Sequence, residues 1–248
     1  MNLKILSGDG IQWIYLNHPP VNSLRRDMLE GLLAELQRCK SDPAAKVVVI
    51  AGEGQHFCAG VDIKEQHLAW QEGGEASADL GTALYEGLLE FPKPLIAMVQ
   101  GAVAGAGLSI IACCDLAIAA KGTRISLPEI NIGVLGGVSH AKRVLGKSVV
   151  NYLALTGQPI EVDKQRHASL FLDVVELANL QSTTRAIAQI IASKHPDAIK
   201  YTKKCMRVVE GIDQLEGYVL ESRLSKELRS TGVTDILVQS FLHRRRAE

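Results

Sequence analysis

The order of apolar and polar positions divides the chain into two unlike parts. Residues 4–6 and 11–16 read as short strands around Gly8-Asp9-Gly10, a turn that predicts a hairpin. His18-Pro19-Pro20 ends the second strand. Asn22 or Ser23 could cap a helix in which Met28, Leu29, Leu32, Leu33 and Leu36 recur at helical spacing, until Ser41-Asp42-Pro43 breaks it. Val47-Val48-Val49-Ile50 does not alternate. An unbroken β-branched run of this kind predicts a strand covered on both faces of a parallel sheet. A helix at 79–89, stopped by Pro92 and Pro94, precedes a second buried strand at 95–99. A small-residue turn over 101–107 leads into an apolar helix at 108–114, then a strand at 116–119 and an extended piece at 124–127. Strand and helix in this rhythm predict an α/β layer structure. Beyond Ser148 the pattern becomes helical, at 149–156, 179–193, 198–209 and 215–227. The expected division is a core over 1–180 and a helical region over 181–248, although no Pro/Gly/Ser linker separates them.

Composition narrows the partners. The 248 residues carry 27 basic and 27 acidic side chains, so the net charge is zero and no basic surface arises from composition alone. Aromatics are 4%, too few for base-stacking platforms, and nucleic acid is not expected as a partner. The five cysteines (Cys39, Cys58, Cys113, Cys114 and Cys205) form no C-x-x-C pair, which fits reduced thiols and a cytoplasmic location. Residues 1–11 lack a basic stretch followed by an apolar one, so no secretory signal is expected. The apolar run 110–120 is interrupted by Asp115 and is too short to span a bilayer, so no membrane partner is expected either.

Two loops carry the candidate chemistry. The segment from Phe57 to Glu65 and the segment Gly101-Ala102-Val103-Ala104-Gly105-Ala106-Gly107 each follow a buried strand and lead toward a helix. Small residues admit a ligand close to the backbone, and helix starts offer unpaired N–H groups. Two such starts facing one point would stabilise a developing oxyanion, where loss of one donor costs about 3–4 kcal/mol. Alternatively, the small residues only let strand and helix pack tightly. G-x-G-x-x-G and the phosphate-binding G-x-x-x-x-G-K-[ST] are absent, and the histidines and cysteines lack metal-ligand spacing, so no metal is expected. His56, in a loop, and His140, where a helix is expected to start, read as surface or capping residues rather than bases. Glu129, in Leu127-Pro128-Glu129-Ile130, is either a solvent-facing turn residue or a carboxylate whose apolar setting raises its pKa for proton transfer.

Taken in order, several pieces resemble the enoyl-CoA hydratase/isomerase (crotonase) family. They are Pro20-Val21-Asn22-Ser23-Leu24, Phe57-Cys58-Ala59-Gly60-Val61-Asp62-Ile63-Lys64, Lys93-Pro94-Leu95-Ile96-Ala97 with the second glycine loop, Cys114-Asp115-Leu116-Ala117-Ile118-Ala119, Pro128-Glu129-Ile130-Asn131-Ile132-Gly133, and Ser240-Phe241-Leu242-His243-Arg244-Arg245. The resemblance implies a β-β-α spiral core with a helical C-terminal trimerisation region, assembly as a homotrimer or hexamer, and an acyl-CoA thioester as substrate. Coenzyme A would belong to the substrate, with no separate cofactor. It also implies an oxyanion hole made by the amides of Val61 and Ala106. The position of Ala106 is glycine in many members, so alanine serves only if its φ is negative. By the same resemblance Ala59 meets the adenine through its backbone, Lys64 lies near the CoA phosphates and Arg25 is a weaker phosphate match. The resemblance further implies that the Gly137 N–H would help hold a catalytic water.

Typical hydratases carry two glutamates. Here Glu129 matches one, and Ser109 stands where the other belongs. The leading expectation is hydration of a 2-enoyl-CoA, with Glu129 activating water and Ser109 assisting. A Δ3,Δ2-enoyl-CoA isomerase with Glu129 as sole proton shuttle, a hydroxycinnamoyl-CoA-type hydratase-lyase and a non-catalytic acyl-CoA binder are the alternatives. The acyl chain would be selected by Leu68, Trp70, the 71–79 loop and the C-terminal helices. Cys58, in the first loop, is expected to confer sensitivity to thiol reagents by steric block.

Overall fold

The computed structural model describes residues 2–71, 78–165 and 167–245. Strands β1 (Leu3–Gly8) and β2 (Ile11–Leu16) form the expected hairpin, in register from Leu3 opposite Leu16 to Gly8 opposite Ile11. Helix α1 (Arg26–Ser41) follows, then β3 (Val47–Gly52), α2 (Ile63–Gln71), α3 (Ala78–Leu89), β4 (Leu95–Val99), β5 (Ala102–Ala104), α4 (Ala106–Cys113), β6 (Leu116–Ala120) and β7 (Arg124–Ser126). A single 3-10 turn, Pro128–Ile132, precedes α5 (Val138–Val144), α6 (Lys147–Thr156), β8 (Ile160–Glu161) and β9 (Asp173–Val175). The chain then continues through α7 (Leu177–Ala192), α8 (Pro196–Val208), α9 (Gln214–Ser230) and α10 (Val233–Arg245).

Two sheets organise these elements. The larger has the order β1-β2-β3-β4-β6-β9, parallel from β2 onward, and the smaller has the order β5-β7-β8. Isolated parallel bridges at Leu24–Val61 and Cys58–Val103 bring the first glycine loop beside the small sheet. Each turn of the chain therefore lays one strand in the large sheet and passes its next segment along the small one.

The unbroken β-branched run of β3 is split by the strand's period of two. Val48 and Ile50 join the core cluster shared with Met28 and Leu32 of α1 and Leu84 and Leu88 of α3. Val47 and Val49 face the opposite side, where Trp13, Ile96 and Ile118 meet Leu180 and Ala188 of α7. Both faces of the sheet are thus covered, which is why its strands show no polar alternation.

Several elements depart from the expected pattern, among them β8 and β9, two strands within the stretch expected to be helical. β5 lies within the stretch expected to be only a turn. Three residues of Ala and Val carry little local signal, and pairing with Arg124–Ser126 and the Cys58 bridge makes them a strand. α5 contains His140 rather than starting at it, and α10 lies beyond the helices that periodicity marked. The prolyl and glycine signals elsewhere stop elements where expected.

Candidate active site

The first glycine loop is held from both sides. Asn22, 1% exposed and with φ +54°, accepts from the His18 amide through its side-chain oxygen at 2.9 Å. Its Nδ2 donates to the carbonyls of Glu53 (2.9 Å), His56 (2.8 Å) and Phe57 (3.3 Å). The Leu24 amide donates to Gly60 and the Asp62 amide donates to Leu24, which fixes Val61 between them. Asp62 caps α2, its Oδ1 accepting from the amides of Lys64 (3.0 Å) and Glu65 (3.2 Å). Partial burial pushes its carboxyl upward, but these amides and the Ser23 hydroxyl outweigh that and hold it below its ordinary value.

The second loop is threaded against the first. The Cys58 amide donates to Ala102, and the Ala104 amide donates to Cys58. His56 is neither catalytic in position nor free: its Nδ1 accepts from the Ala102 amide at 3.0 Å. Gly60 faces the Ala106 amide, so that a Cβ added to it would stand 3.6 Å from the Ala106 nitrogen and 3.0 Å from the Ala104 oxygen. Positive φ in the second loop falls on Gly105 (+50°), and Ala106 opens α4 with helical geometry, which satisfies the condition that alanine there requires. Among the described residues the amides of Val61 and Ala106 have no hydrogen-bond acceptor. Two unengaged donors therefore border one opening.

Glu129 closes the other side of that opening. It lies in the 3-10 turn, whose end is tied by the Val134 amide donating to the Glu129 carbonyl at 3.1 Å. A Cβ on Gly105 would overlap its Oε1 and lie 3.2 Å from its Cδ, and a Cβ on Gly136 would lie 3.2 Å from Oε1. Oε2 is buried without a hydrogen-bond partner. Desolvation raises the carboxyl above its ordinary pKa, against the weaker pull of its own amide. Of the two readings of this residue, the apolar setting is the one the fold creates.

Ser109, 1% exposed on α4, lies beside Gly137: a Cβ on that glycine would be 3.4 Å from the Ser109 oxygen and 3.4 Å from the Gly105 carbonyl. Val61, Ala106, Glu129, Ser109 and Gly137 thus gather around one space. Tyr85 of α3 belongs to the same cluster and had no sequence signal of its own, because it sits in an ordinary helical pattern. Its phenol is pushed up to about 12 by burial. Its ring packs on His140 at 4.4 Å between centroids. His140 also borders a cavity of about 630 Å³, together with Cys113, Arg143, Lys203 and Met206.

The residues matched to the CoA moiety lie at the rim. Arg25 is exposed, 3.9 Å from Asp27, and directly follows the Leu24 bridge to Val61. Lys64 is exposed in the first turn of α2. The Ala59 amide already donates to Val21, so only its carbonyl is left to meet a nucleobase. Leu68 and Trp70 are 60% and 43% exposed, and residues 72–77 of the 71–79 loop lie outside the described residues. Two other motif residues are structural. Lys93 donates to the carbonyls of Cys39 and Asp42 at the end of α1, and Asp115 accepts from the Leu95 amide and from Lys203, both at 2.7 Å.

The expectation for Cys58 is corrected. Its side chain is fully buried, and burial pushes the thiol up to about 12, so it offers a reagent neither access nor thiolate. Among the described residues no group of three or more His, Cys, Asp or Glu could hold a metal ion.

A family model described as enoyl-CoA hydratase/isomerase matches residues 7–248. The chain belongs to the enoyl-CoA hydratase/isomerase family. A probable enoyl-CoA hydratase of Bacillus subtilis is 30% identical over 94% of this chain and 92% of its own. A 2,3-dehydroadipyl-CoA hydratase of Escherichia coli is 30% identical over 93% and 91%. Among solved structures, an enoyl-CoA hydratase from Bacillus anthracis superposes with a TM-score of 0.91 at 25% identity, covering 98% of this chain and 97% of that one. The enoyl-CoA hydratase/isomerase fold accordingly accounts for the parallel-rich sheet, the second small sheet and the C-terminal helices together.

Proposed function

We propose that the protein adds water to the double bond of a 2-enoyl-CoA thioester. The observation that carries this reading is Glu129: a desolvated carboxylate with an unpartnered oxygen, set beside two unengaged amides. The thioester oxygen accepts from the N–H groups of Val61 and Ala106. Glu129 takes a proton from water, and the water oxygen bonds to C3. The C2–C3 electron pair moves toward the carbonyl and forms an enolate, which the two fixed amides stabilise without reorienting. Glu129 then returns the proton to C2, so that water has added across the bond. Ser109 and the backbone at Gly137 orient the water. Arg25, Lys64 and the Ala59 carbonyl hold the CoA portion, which enters as part of the substrate with no separate cofactor.

Loss of the enoyl chromophore of crotonyl-CoA, with a 3-hydroxyacyl-CoA as product, tests this. Wild-type turnover that Glu129→Gln abolishes supports the reading, and a Glu129→Gln enzyme within about threefold of wild type overturns it. The lone carboxylate favours a second reading, double-bond migration with Glu129 carrying one proton between C2 and C4. Conversion of a 3-enoyl-CoA to the conjugated isomer with no hydroxyacyl product would decide for it.

Assembly as a trimer or hexamer belongs to the same proposal. It is supported by exposed apolar side chains on the last helices, among them Tyr218, Val219, Ile236 and Val238. Among the described residues no helix is long and apolar enough to cross a membrane. With the reduced cysteines, this supports placement in the cytoplasm.

A further inference from the structure

The space beside Glu129 and the cavity beside His140 share two helices. On α4, Ser109 and Cys113 stand four residues apart, so Cys113 lies on the same face about 6 Å further along. Gly137 caps α5 next to Ser109, and His140 lies in the first turn of that helix. Ser109 and Gly137 belong to the catalytic space, whereas Cys113 and His140 border the cavity of about 630 Å³. α8 supplies Lys203 and Met206 to the opposite wall, and Glu210 follows its end.

The hydrogen bonds of this cavity leave donors over. Arg143 donates through Nε and Nη2 to the two carboxylate oxygens of Glu210, each at 2.9 Å, and among the described residues its Nη1 has no acceptor. Lys203 donates to the Lys93 carbonyl and to Asp115, both at 2.7 Å, which leaves one of its three N–H groups. His140 contacts the Ser139 hydroxyl through Nδ1 at 3.4 Å, and its Nε2 has no partner among the described residues. Both lining carboxylates already accept from these cations. A group that only accepts, and carries negative charge, fits such a set. We propose that the cavity receives the far end of the acyl chain, and that the chain ends in a carboxylate held by Arg143 with Lys203 and His140. This rests on the hydratase reading, which places C3 next to Glu129 and Ser109. From there the chain follows α4 toward Cys113, and Leu88, Ala112 and Met206 offer apolar surface to its methylenes.

The test is isothermal titration calorimetry with 7-carboxyheptanoyl-CoA and octanoyl-CoA, which differ only in the terminal group. Neither has a double bond, so binding is read without turnover. The carboxylate binds about tenfold tighter at low salt, the scale of a charge-assisted contact, and the advantage shrinks as salt is raised. Arg143→Gln brings the ratio of the two affinities to about one. Glu210→Gln releases the guanidinium and raises the ratio about threefold. A loss of packing between α5 and α8 would weaken both thioesters alike in both variants, whereas these two variants move the ratio in opposite directions. Equal affinities in the wild type, no binding of either thioester, or a ratio that Arg143→Gln leaves unchanged overturns the proposal. Hydration of crotonyl-CoA without a carboxylate preference defeats only the assignment of the cavity. A carboxylate preference with no hydration of crotonyl-CoA or 7-carboxyhept-2-enoyl-CoA defeats the hydratase reading and leaves the carboxylate site standing.

Discussion

Gly105 stands against Glu129 so closely that a Cβ on the glycine would overlap Oε1 and lie 3.2 Å from Cδ. The carboxylate is set by a bare backbone rather than by a polar neighbour. Gly105→Ala therefore displaces Glu129 and, with φ at +50°, also strains the start of α4. We expect kcat to fall about 10²-fold, the scale of an ångström-sized misplacement, with the circular dichroism spectrum retained. Unchanged turnover would mean that the carboxylate position is irrelevant.

Glu129→Gln separates activity from stability. Turnover should fall by about 10²–10⁴, as expected for loss of a general base. In the wild type, kcat should rise with pH through an apparent pKa above the ordinary carboxylate value. Stability should move the opposite way. The folded-state pKa is raised, so as pH climbs from about 4.3 toward it, the native protein retains a proton that the unfolded chain has lost, and stability declines. Glutamine escapes that decline. The variant should melt higher than wild type at neutral pH, and the advantage should vanish below about pH 4.3 in thermal scans.

Ala106 is the first residue of α4 and its N–H serves no helical bond. Proline is well accommodated at such a position because the missing donor is one the helix does not use. Ala106→Pro should then leave the melting temperature close to wild type while lowering kcat about 10²–10³-fold through loss of one amide. Equal losses of stability and activity would assign Ala106 a packing role only.

Asn22→Ala leaves the carbonyls of Glu53, His56 and Phe57 without the donor that joins them and places alanine at a positive φ. Destabilisation of about 1–3 kcal/mol is expected, read from the midpoint of urea unfolding. Crotonyl-CoA turnover should fall as well, because the same side chain anchors the loop carrying Val61.

Cys58 should resist alkylation in the native protein and react at the rate of a free thiol only in denaturant, as followed by mass spectrometry. Modification of Cys58 under native conditions would contradict its burial between the two loops.

How much of this was legible in the chain differs from element to element. The unbroken apolar runs at 47–50 and 95–99 announced buried strands, because a sheet covered on both faces needs apolar side chains at every position. The motif residues Asn22, Lys93, Asp115 and Glu129 were visible as a pattern. Their division into structural ties and a candidate base was not, since it depends on partners 20 to 54 residues away: Lys93 ends on α1 and Asp115 on β4. β5 stayed hidden because Ala102–Ala104 has no strand character apart from its neighbours.

The sequence by itself determined the layer architecture, the family and the presence of one carboxylate where two are usual, because these depend on residue type and spacing alone. The tertiary structure decided which amides are left without acceptors, which oxygen of Glu129 is desolvated, that Cys58 is inert, and that Tyr85 packs on His140. Each of these arises where segments distant in the chain converge, and a desolvation or an unmade hydrogen bond exists only once those segments exclude water together.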